Sequence, residues 1–104
     1  MKTIESVVVG LSVSGTVATC ETVVVSSASK TKIELVLQRS ANGGSSFSDY
    51  ATLSSASYTD RTSMIQKTKS GLSGSYKYRL KVVSTGYNAS GAKLDQNTTY
   101  SPVR

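Results

Sequence analysis

Side chains that could carry out acid–base, nucleophilic or metal chemistry are few in this chain of 104 residues. The sequence has no histidine and a single cysteine, so it lacks a Ser–His or Cys–His nucleophilic pair and the usual ligand spacing of a zinc site. Its carboxylates fall in different predicted strands or loops, which argues against the paired carboxylates of a glycosidase. They are Glu5, Glu21, Glu34, Asp49, Asp60 and Asp95. We therefore expect a protein that is not an enzyme, with no catalytic residue, no metal ligand and no cofactor.

The only cysteine, Cys20, lies between Ala18 and Thr22 in the inward register of a predicted strand. We interpret it as a small buried hydrophobic residue. The alternatives are a reactive thiol or a disulfide to another chain, since one cysteine cannot form a disulfide within its own chain.

Basic residues outnumber acidic residues by 12 to 6, which gives a net charge of +6 and favours anionic partners. The basic residues are spread along the chain without a run of five or six. Three of them, Lys77, Arg79 and Lys81, share the outward face of one predicted strand. We favour a solvated face on which Glu34 of the neighbouring strand is the cross-strand partner. The alternative is a stripe that holds an anionic polymer.

Four tyrosines at predicted strand ends form a second candidate binding surface, because a tyrosine pairs an apolar ring with a polar tip. A set of such rings is typical of a stacking platform for sugars. Packing in the core or at its rim is the simpler interpretation, and we favour it. The four residues are Tyr50, Tyr58, Tyr87 and Tyr100.

Alternation of apolar and polar residues predicts the strands that position these side chains, and no stretch has helical periodicity. In the third run, for example, Ile33, Leu35 and Leu37 alternate with mostly polar residues, which are Lys32, Glu34, Val36 and Gln38. The runs cover residues 7–14, 16–26, 32–40, 49–57, 62–69, 76–82 and 92–103. Strands at this spacing are typical of sandwiches and barrels, so we predict one all-β domain over residues 1–104.

The sixth run follows a turn bounded by Gly71 and Gly74, and it places Tyr76 and Tyr78 on its inward face. This stretch resembles the sixth strand of immunoglobulin-like and fibronectin type III domains. The resemblance implies that the all-β domain is a sandwich of about seven antiparallel strands in two sheets. The resemblance also implies that Tyr76 is a tyrosine corner, whose hydroxyl bonds back to the backbone of the preceding turn. Arg39, followed by the turn at residues 42–44, similarly looks like the end of the third strand and its hairpin in fibronectin type III modules.

The chain departs from the immunoglobulin pattern in two ways. Immunoglobulin domains carry paired cysteines where this chain has Cys20 and Tyr78, so the second cysteine is missing. The core tryptophan of the third strand is also missing, and Ile33 or Leu35 stands in its place. More narrowly, the chain resembles small exported β-sandwich proteins of Gram-positive bacteria whose function is unknown. That resemblance implies a secreted or cell-surface protein, although residues 1–20 are too interrupted by polar side chains to be a signal sequence.

The sequence thus favours a non-catalytic module, exported or displayed on a surface, that acts in binding, adhesion or structure. Carbohydrate-binding modules and sandwich domains that decorate a phage virion or tail are the alternatives. The expected partner is an anionic polymer, a glycan or a cell-surface protein. We expect neither nucleic acid as a partner nor a membrane span. Free sheet edges are compatible with a monomer or with a weak homodimer formed by strand addition.

Overall fold

The computed structural model describes residues 3–104, and seven strands with their connecting turns account for this part of the chain. We number the strands in chain order. They are β1 (Ile4–Ser14), β2 (Val17–Ser26), β3 (Lys30–Ser40), β4 (Ser48–Tyr58), β5 (Thr62–Lys69), β6 (Lys77–Tyr87) and β7 (Lys93–Tyr100).

The strands form two sheets that pack face to face. One sheet has the order β1-β2-β5 and the other has the order β4-β3-β6-β7, with every neighbouring pair antiparallel. This arrangement confirms the predicted all-β sandwich of seven antiparallel strands, and it is consistent with an immunoglobulin-like fold. Constant-type immunoglobulin domains place their fourth strand in the same sheet as the first, second and fifth. Here β4 pairs with β3 in the other sheet.

The first hairpin shows how local sequence sets these boundaries. Ser14 pairs with Val17, so Gly15 and Thr16 form a two-residue turn between β1 and β2. Such tight turns need positive φ angles, which glycine adopts without steric cost. Gly15 has a φ of 61° and supplies that conformation.

The core lies between the two sheets and contains the residues predicted to face inward. In β3, Ile33, Leu35 and Leu37 are fully buried, and Leu80 and Val82 of β6 belong to the same cluster. The other sheet contributes several further buried residues. They are Ile4, Leu11, Ala18, Cys20, Val24 and Ile65. The period of two along β2, β3 and β6 was therefore enough to identify the buried face of these strands.

Most strand boundaries differ slightly from those predicted, whereas β5 spans the predicted residues 62–69. β3 and β4 each extend beyond the predicted 32–40 and 49–57, and β6 continues to Tyr87 instead of ending near residue 82. The prediction for the last strand, 92–103, is wrong at its end because β7 stops at Tyr100.

Pro102 accounts for the early end of β7, because proline has no backbone N–H to donate to a strand ladder. The chain nevertheless stays beside β6 after the strand ends. The backbone N–H of Ser101 donates to the carbonyl oxygen of Leu80 at 2.8 Å. Arg104 and Tyr78 exchange two backbone hydrogen bonds, at 2.8 and 3.0 Å. The last residues therefore remain part of the four-stranded sheet's edge.

The start of β1 is fastened to the opposite sheet by Asp95 of β7. Its carboxylate accepts hydrogen bonds from the Thr3 hydroxyl and from the backbone N–H groups of Thr3 and Ile4. Burial acts to raise the pKa of Asp95, but these hydrogen bonds outweigh burial and hold the pKa below its usual range. Gly86 of β6 lies beneath this contact, where a Cβ atom would stand 2.8 Å from Asp95 Oδ1.

Candidate binding surface at the basic end

Basic side chains are concentrated at one end of the sandwich, where β3 finishes and β4 and β6 begin. Seven basic residues and a single acidic residue, Asp49, lie at this end. We call this set the basic end. It consists of Arg39, Lys67, Lys69, Lys77, Arg79, Lys81 and Arg104. The remaining described residues include four basic and five acidic ones, so the positive charge of the domain lies at this end. Glu21 pairs with Gln66, next to the Cys20–Lys67 pair, and so lies just outside the basic end.

Antiparallel pairing explains why residues far apart in sequence meet here. The end of one strand lies beside the start of the next in an antiparallel sheet. Arg39 near the end of β3 pairs with Tyr78 near the start of β6, and Lys69 at the end of β5 pairs with Ala18 near the start of β2. The domain measures 45 × 23 × 18 Å, so the two ends are well separated.

The basic end contains none of the ion pairs formed within residues 3–104. Those pairs are Arg61–Glu5 at 2.8 Å and Lys32–Glu34 at 3.8 Å, and both lie outside it. The expected contact between Glu34 and the Lys77, Arg79 and Lys81 stripe does not form, because Glu34 lies opposite Val83 in the register. β3 does lie beside β6 as expected, but the stripe residues form no ion pair within residues 3–104.

Arg79 is held between two aromatic rings on the outer face of the four-stranded sheet. Its guanidinium carbon lies 4.2 Å from the centre of the Phe47 ring and 4.1 Å from the centre of the Tyr100 ring. We call Phe47, Arg79 and Tyr100 the Arg79 stack. Cation–π contacts of this kind contribute about 0.5–1 kcal/mol each at exposed sites. Arg79 is thereby fixed in one orientation while its charge stays at the surface.

Two consecutive hydrogen bonds also hold the Arg79 side chain in place. Its Nε donates to Oε1 of Gln38 at 2.8 Å, and Nε2 of Gln38 donates to Oδ1 of Asp49 at 2.8 Å. The amide of Gln38 therefore stands between the guanidinium and the carboxylate. Asp49 orients Arg79 through Gln38 but does not form an ion pair with it.

The turn between β3 and β4 positions Phe47 for this stack. The Ser40 hydroxyl donates to Oδ1 of Asn42 at 2.6 Å, and Nδ2 of Asn42 donates to the Ser46 hydroxyl at 2.8 Å. Gly43 has a φ of 73°, a value that favours glycine. The turn predicted from the Asn42-Gly43-Gly44 sequence is therefore ordered by its own side chains, immediately before Phe47.

A second arginine, Arg39, is stacked in the same way on the inner side of β3. Its guanidinium carbon lies 4.4 Å from the ring centres of both Tyr50 and Tyr76. Lys69 from the opposite sheet brings its Nζ atom to 5.7 Å from the Tyr50 ring. The half-buried rings of Tyr50 and Tyr76 thus cover the core at the basic end, and the charged groups of Arg39 and Lys69 lie close to these rings.

The tyrosine that bonds back to the turn is Tyr78, and the prediction of this role for Tyr76 is wrong. The Tyr78 hydroxyl accepts a hydrogen bond from the Ser73 N–H at 3.0 Å and donates one to the Ser73 carbonyl oxygen at 3.3 Å. The Tyr78 ring is buried and meets Tyr50 edge-on at 6.1 Å. Tyr76 instead stacks on Arg39.

The four tyrosines proposed as a sugar platform are divided between the two ends of the sandwich. Tyr50 and Tyr100 lie at the basic end, where arginines cover them. Tyr58 pairs with Thr31 and Tyr87 pairs with Lys30 at the other end. The structure therefore brings Tyr100 together with Arg79 and does not gather the four rings on one face.

Cys20 is fully buried in the core as a free thiol. Burial raises its pKa to about 11, so the reactive thiolate is disfavoured at neutral pH. Residues 3–104 hold no group of three or more His, Cys, Asp and Glu side chains placed to bind a metal ion. The same residues include no helix with the length and apolar character to cross a membrane.

A shallow groove of about 420 Å³ lies on the outer face of the three-stranded sheet. Val8 and Met64 at its rim are largely exposed, and Glu21 is the one carboxylate that borders it. The groove lies outside the basic end, and the mixture of apolar and polar side chains that line it does not indicate a particular class of ligand.

Phe47, Gln38 and Arg39 were not among the candidates expected from sequence for a binding surface. Phe47 is the only phenylalanine and directly follows a polar turn, which was the one available signal.

Comparisons with models of protein families, with curated proteins and with solved structures found no match to this chain. The protein is a seven-strand antiparallel β-sandwich, and two of the basic side chains at one end of it lie over aromatic rings.

Proposed function

We propose that this domain is a non-catalytic binding module that holds an anionic partner at its basic end, and that it is exported or displayed on a cell surface. The observation that carries the proposal is the gathering of seven basic residues, none of them in an ion pair within residues 3–104, with a single carboxylate at the same end. A concentrated positive field of this kind attracts anionic ligands and speeds their association.

The two stacked arginines support binding over a merely solvated face. An arginine loses side-chain freedom when it binds a ligand, and that loss weakens the complex. Contacts with Phe47 and Tyr100 for Arg79, and with Tyr50 and Tyr76 for Arg39, fix both side chains beforehand. A guanidinium held in this way binds the oxygens of a carboxylate, sulfate or phosphate with little further ordering.

The lysines have a different part in this proposal. Lys67, Lys77 and Lys81 have flexible side chains around the fixed arginines, and an ammonium group acts as a mobile point charge. They steer a polyanion to the surface and adjust to its charge spacing. Binding of this type weakens as salt concentration rises, because exposed charges are screened.

A sugar platform receives less support than an anion site. The Phe47 and Tyr100 rings each have one face turned to Arg79, and Tyr50 lies against Arg39. A sugar would need a free apolar face shared by several rings. Export and surface display rest on the resemblance to immunoglobulin-like and exported bacterial sandwich proteins.

Retention on anionic matrices tests this function. Purified protein is mixed with heparin beads and with Gram-positive cell walls at about 0.02 M and about 0.15 M salt, which correspond to long and short screening lengths. We expect retention on at least one matrix, and weaker retention at the higher salt. Absence of retention on both matrices at both salt concentrations would contradict the proposed function.

A further inference from the structure

Three basic side chains form a straight row on the outer face of β6. Lys77, Arg79 and Lys81 alternate along this strand with the buried residues Tyr78 and Leu80. Side chains two residues apart on a strand share a face and are separated by about 6.6–6.8 Å. We call Lys77, Arg79 and Lys81 the β6 row. It presents three positive charges at one regular interval.

That interval matches the repeat of a particular class of polymer. Two residues of an extended strand span six backbone bonds, or about 7 Å. Successive phosphorus atoms in a polymer of phosphodiesters joined by three-carbon linkers are also separated by six bonds. A single extended chain of that type can therefore place one phosphate beside each member of the β6 row.

We propose that the β6 row binds a linear phosphodiester polymer through its backbone, with Arg79 as the residue that recognises phosphate. This inference rests on the proposed function and narrows the class of its ligand. The Arg79 guanidinium carbon lies 4.2 Å from the centre of the Phe47 ring and 4.1 Å from the centre of the Tyr100 ring, and its Nε donates to Oε1 of Gln38.

The two Nη groups of Arg79 form no hydrogen bond with residues 3–104 and so remain available to a ligand. These groups suit two oxygens of one phosphate, which the planar fork of arginine binds in parallel. Lys77 and Lys81 then hold the phosphates on either side. Asp49 is separated from the guanidinium by the amide of Gln38, and Glu34, which lies opposite Val83, is paired with Lys32.

The same geometry argues against recognition of nucleic-acid bases. Proteins that hold single-stranded nucleic acid without sequence preference stack bases on aromatic rings. In the Arg79 stack, Phe47 and Tyr100 each use one ring face for the arginine. The polymer is therefore recognised by its phosphates and not by groups attached to its linkers.

Fluorescence anisotropy with three labelled probes of equal charge number tests this inference. The probes are a short abasic oligodeoxynucleotide, which has phosphodiesters without bases, an oligothymidylate and an oligogalacturonate. We expect the abasic probe to bind within about threefold of the oligothymidylate and at least fivefold more tightly than the oligogalacturonate. For three phosphate contacts, the logarithm of affinity should fall with the logarithm of salt concentration with a slope of about −2.

Variants locate the binding site. Arg79→Lys keeps the charge but loses the planar fork, and we expect it to weaken abasic-probe binding about fivefold or more. The matched control, Arg61→Lys, makes the same change outside the basic end and should alter binding less than twofold. Phe47→Leu removes one ring from the Arg79 stack and should weaken binding about two- to threefold. Thermal unfolding confirms that each variant is folded.

Several results would overturn the inference while leaving the proposed function intact. One is equal binding of oligogalacturonate and the abasic probe, and another is an Arg79→Lys variant that binds as tightly as wild type. Oligothymidylate binding more than about tenfold tighter than the abasic probe would assign recognition to bases. If none of the three probes binds, the inference is contradicted, and the proposed function is contradicted as well only if retention on heparin and on cell walls is also absent.

Discussion

The hydroxyl of Tyr78 lies 3.0 Å from the amide nitrogen of Ser73, five residues earlier in the chain. The same hydroxyl donates to the Ser73 carbonyl oxygen, so one side chain satisfies both backbone groups of a turn residue. The Tyr78 ring is buried against Tyr50, which in turn lies against Arg39. This contact ties the turn before β6 to the aromatic residues that close the core at the basic end.

Tyr78→Phe should destabilise the domain by about 1 kcal/mol, because it removes this pair of hydrogen bonds and keeps the ring. Tyr76→Phe is the matched control and should change the free energy of unfolding by less than about 0.5 kcal/mol. Urea unfolding at constant m value measures both. A larger loss for Tyr76→Phe than for Tyr78→Phe would contradict the assignment of the corner to Tyr78.

Gly86→Ala should destabilise the domain by about 2 kcal/mol or more, as expected for overpacking at a closed contact. A Cβ atom at residue 86 would overlap the Thr3 hydroxyl and lie 2.8 Å from Asp95 Oδ1 and 3.2 Å from the Ala28 Cβ. Gly74→Ala is the control, because no atom lies within 4 Å of its Cβ position. We expect it to be neutral or slightly stabilising. Equal thermal midpoints for the two variants would show that β1 is not fastened at this contact.

Ser84→Ala should leave stability unchanged or raise it by up to about 1 kcal/mol, because the buried Ser84 hydroxyl has no hydrogen-bond partner among the described residues. Thr31→Val offers the contrast. The Thr31 hydroxyl donates to the Ser26 hydroxyl at 2.8 Å inside the protein, so its loss should cost about 1 kcal/mol. Chemical denaturation distinguishes the two, and a costly Ser84→Ala would indicate a partner for that hydroxyl.

Acid should weaken the contact between β1 and β7. The pKa of Asp95 is lower in the folded protein than its usual value, so its carboxylate stabilises the fold above the unfolded pKa of about 3.9. That stabilisation is lost as the pH falls through the lower folded pKa. Asp95→Asn should therefore lose less stability between pH 6 and pH 3 than wild type, at about 25 °C.

The control for this pH dependence is Asp60→Asn, which alters an exposed carboxylate on the turn between β4 and β5. Its urea midpoints should follow those of wild type over the same range. If Asp95→Asn and wild type lose stability equally on acidification, the carboxylate of Asp95 does not fasten β1 in the way the structure indicates.

Alternating sequence patterns were sufficient to predict the strands and the inward residues of β3, and the resemblance to immunoglobulin-like domains added the two-sheet sandwich. Ile33, Leu35 and Leu37 are buried as predicted because side chains on a strand alternate between faces. Alternation cannot show which of two inward tyrosines reaches a backbone group. Tyr76 and Tyr78 differ by one strand repeat, and only the depth of burial selects Tyr78.

The basic end was not predictable from sequence because it depends on register across both sheets. The predicted partner of the β6 row, Glu34, lies on the expected neighbouring strand but opposite Val83, and it pairs with Lys32 instead. Irregularities in the β3–β4 pairing, between Leu35 and Val36 and between Leu37 and Gln38, also shift β4 against β3. A sequence pattern fixes faces, whereas such shifts decide which side chains meet.

Two variants with identical net charge test most directly whether the basic end binds anions. Lys67→Gln/Lys77→Gln/Lys81→Gln removes three charges from the basic end, and Lys30→Gln/Lys32→Gln/Lys93→Gln removes three from elsewhere. Heparin-fragment binding is measured at about 0.15 M salt. The screening length is then about 8 Å, which is much shorter than the 45 Å length of the domain, so charges at one end hardly affect binding at the other. We predict at least a tenfold loss of affinity for the first variant and less than a twofold loss for the second. Equal losses would show that net charge alone governs binding and would contradict the account.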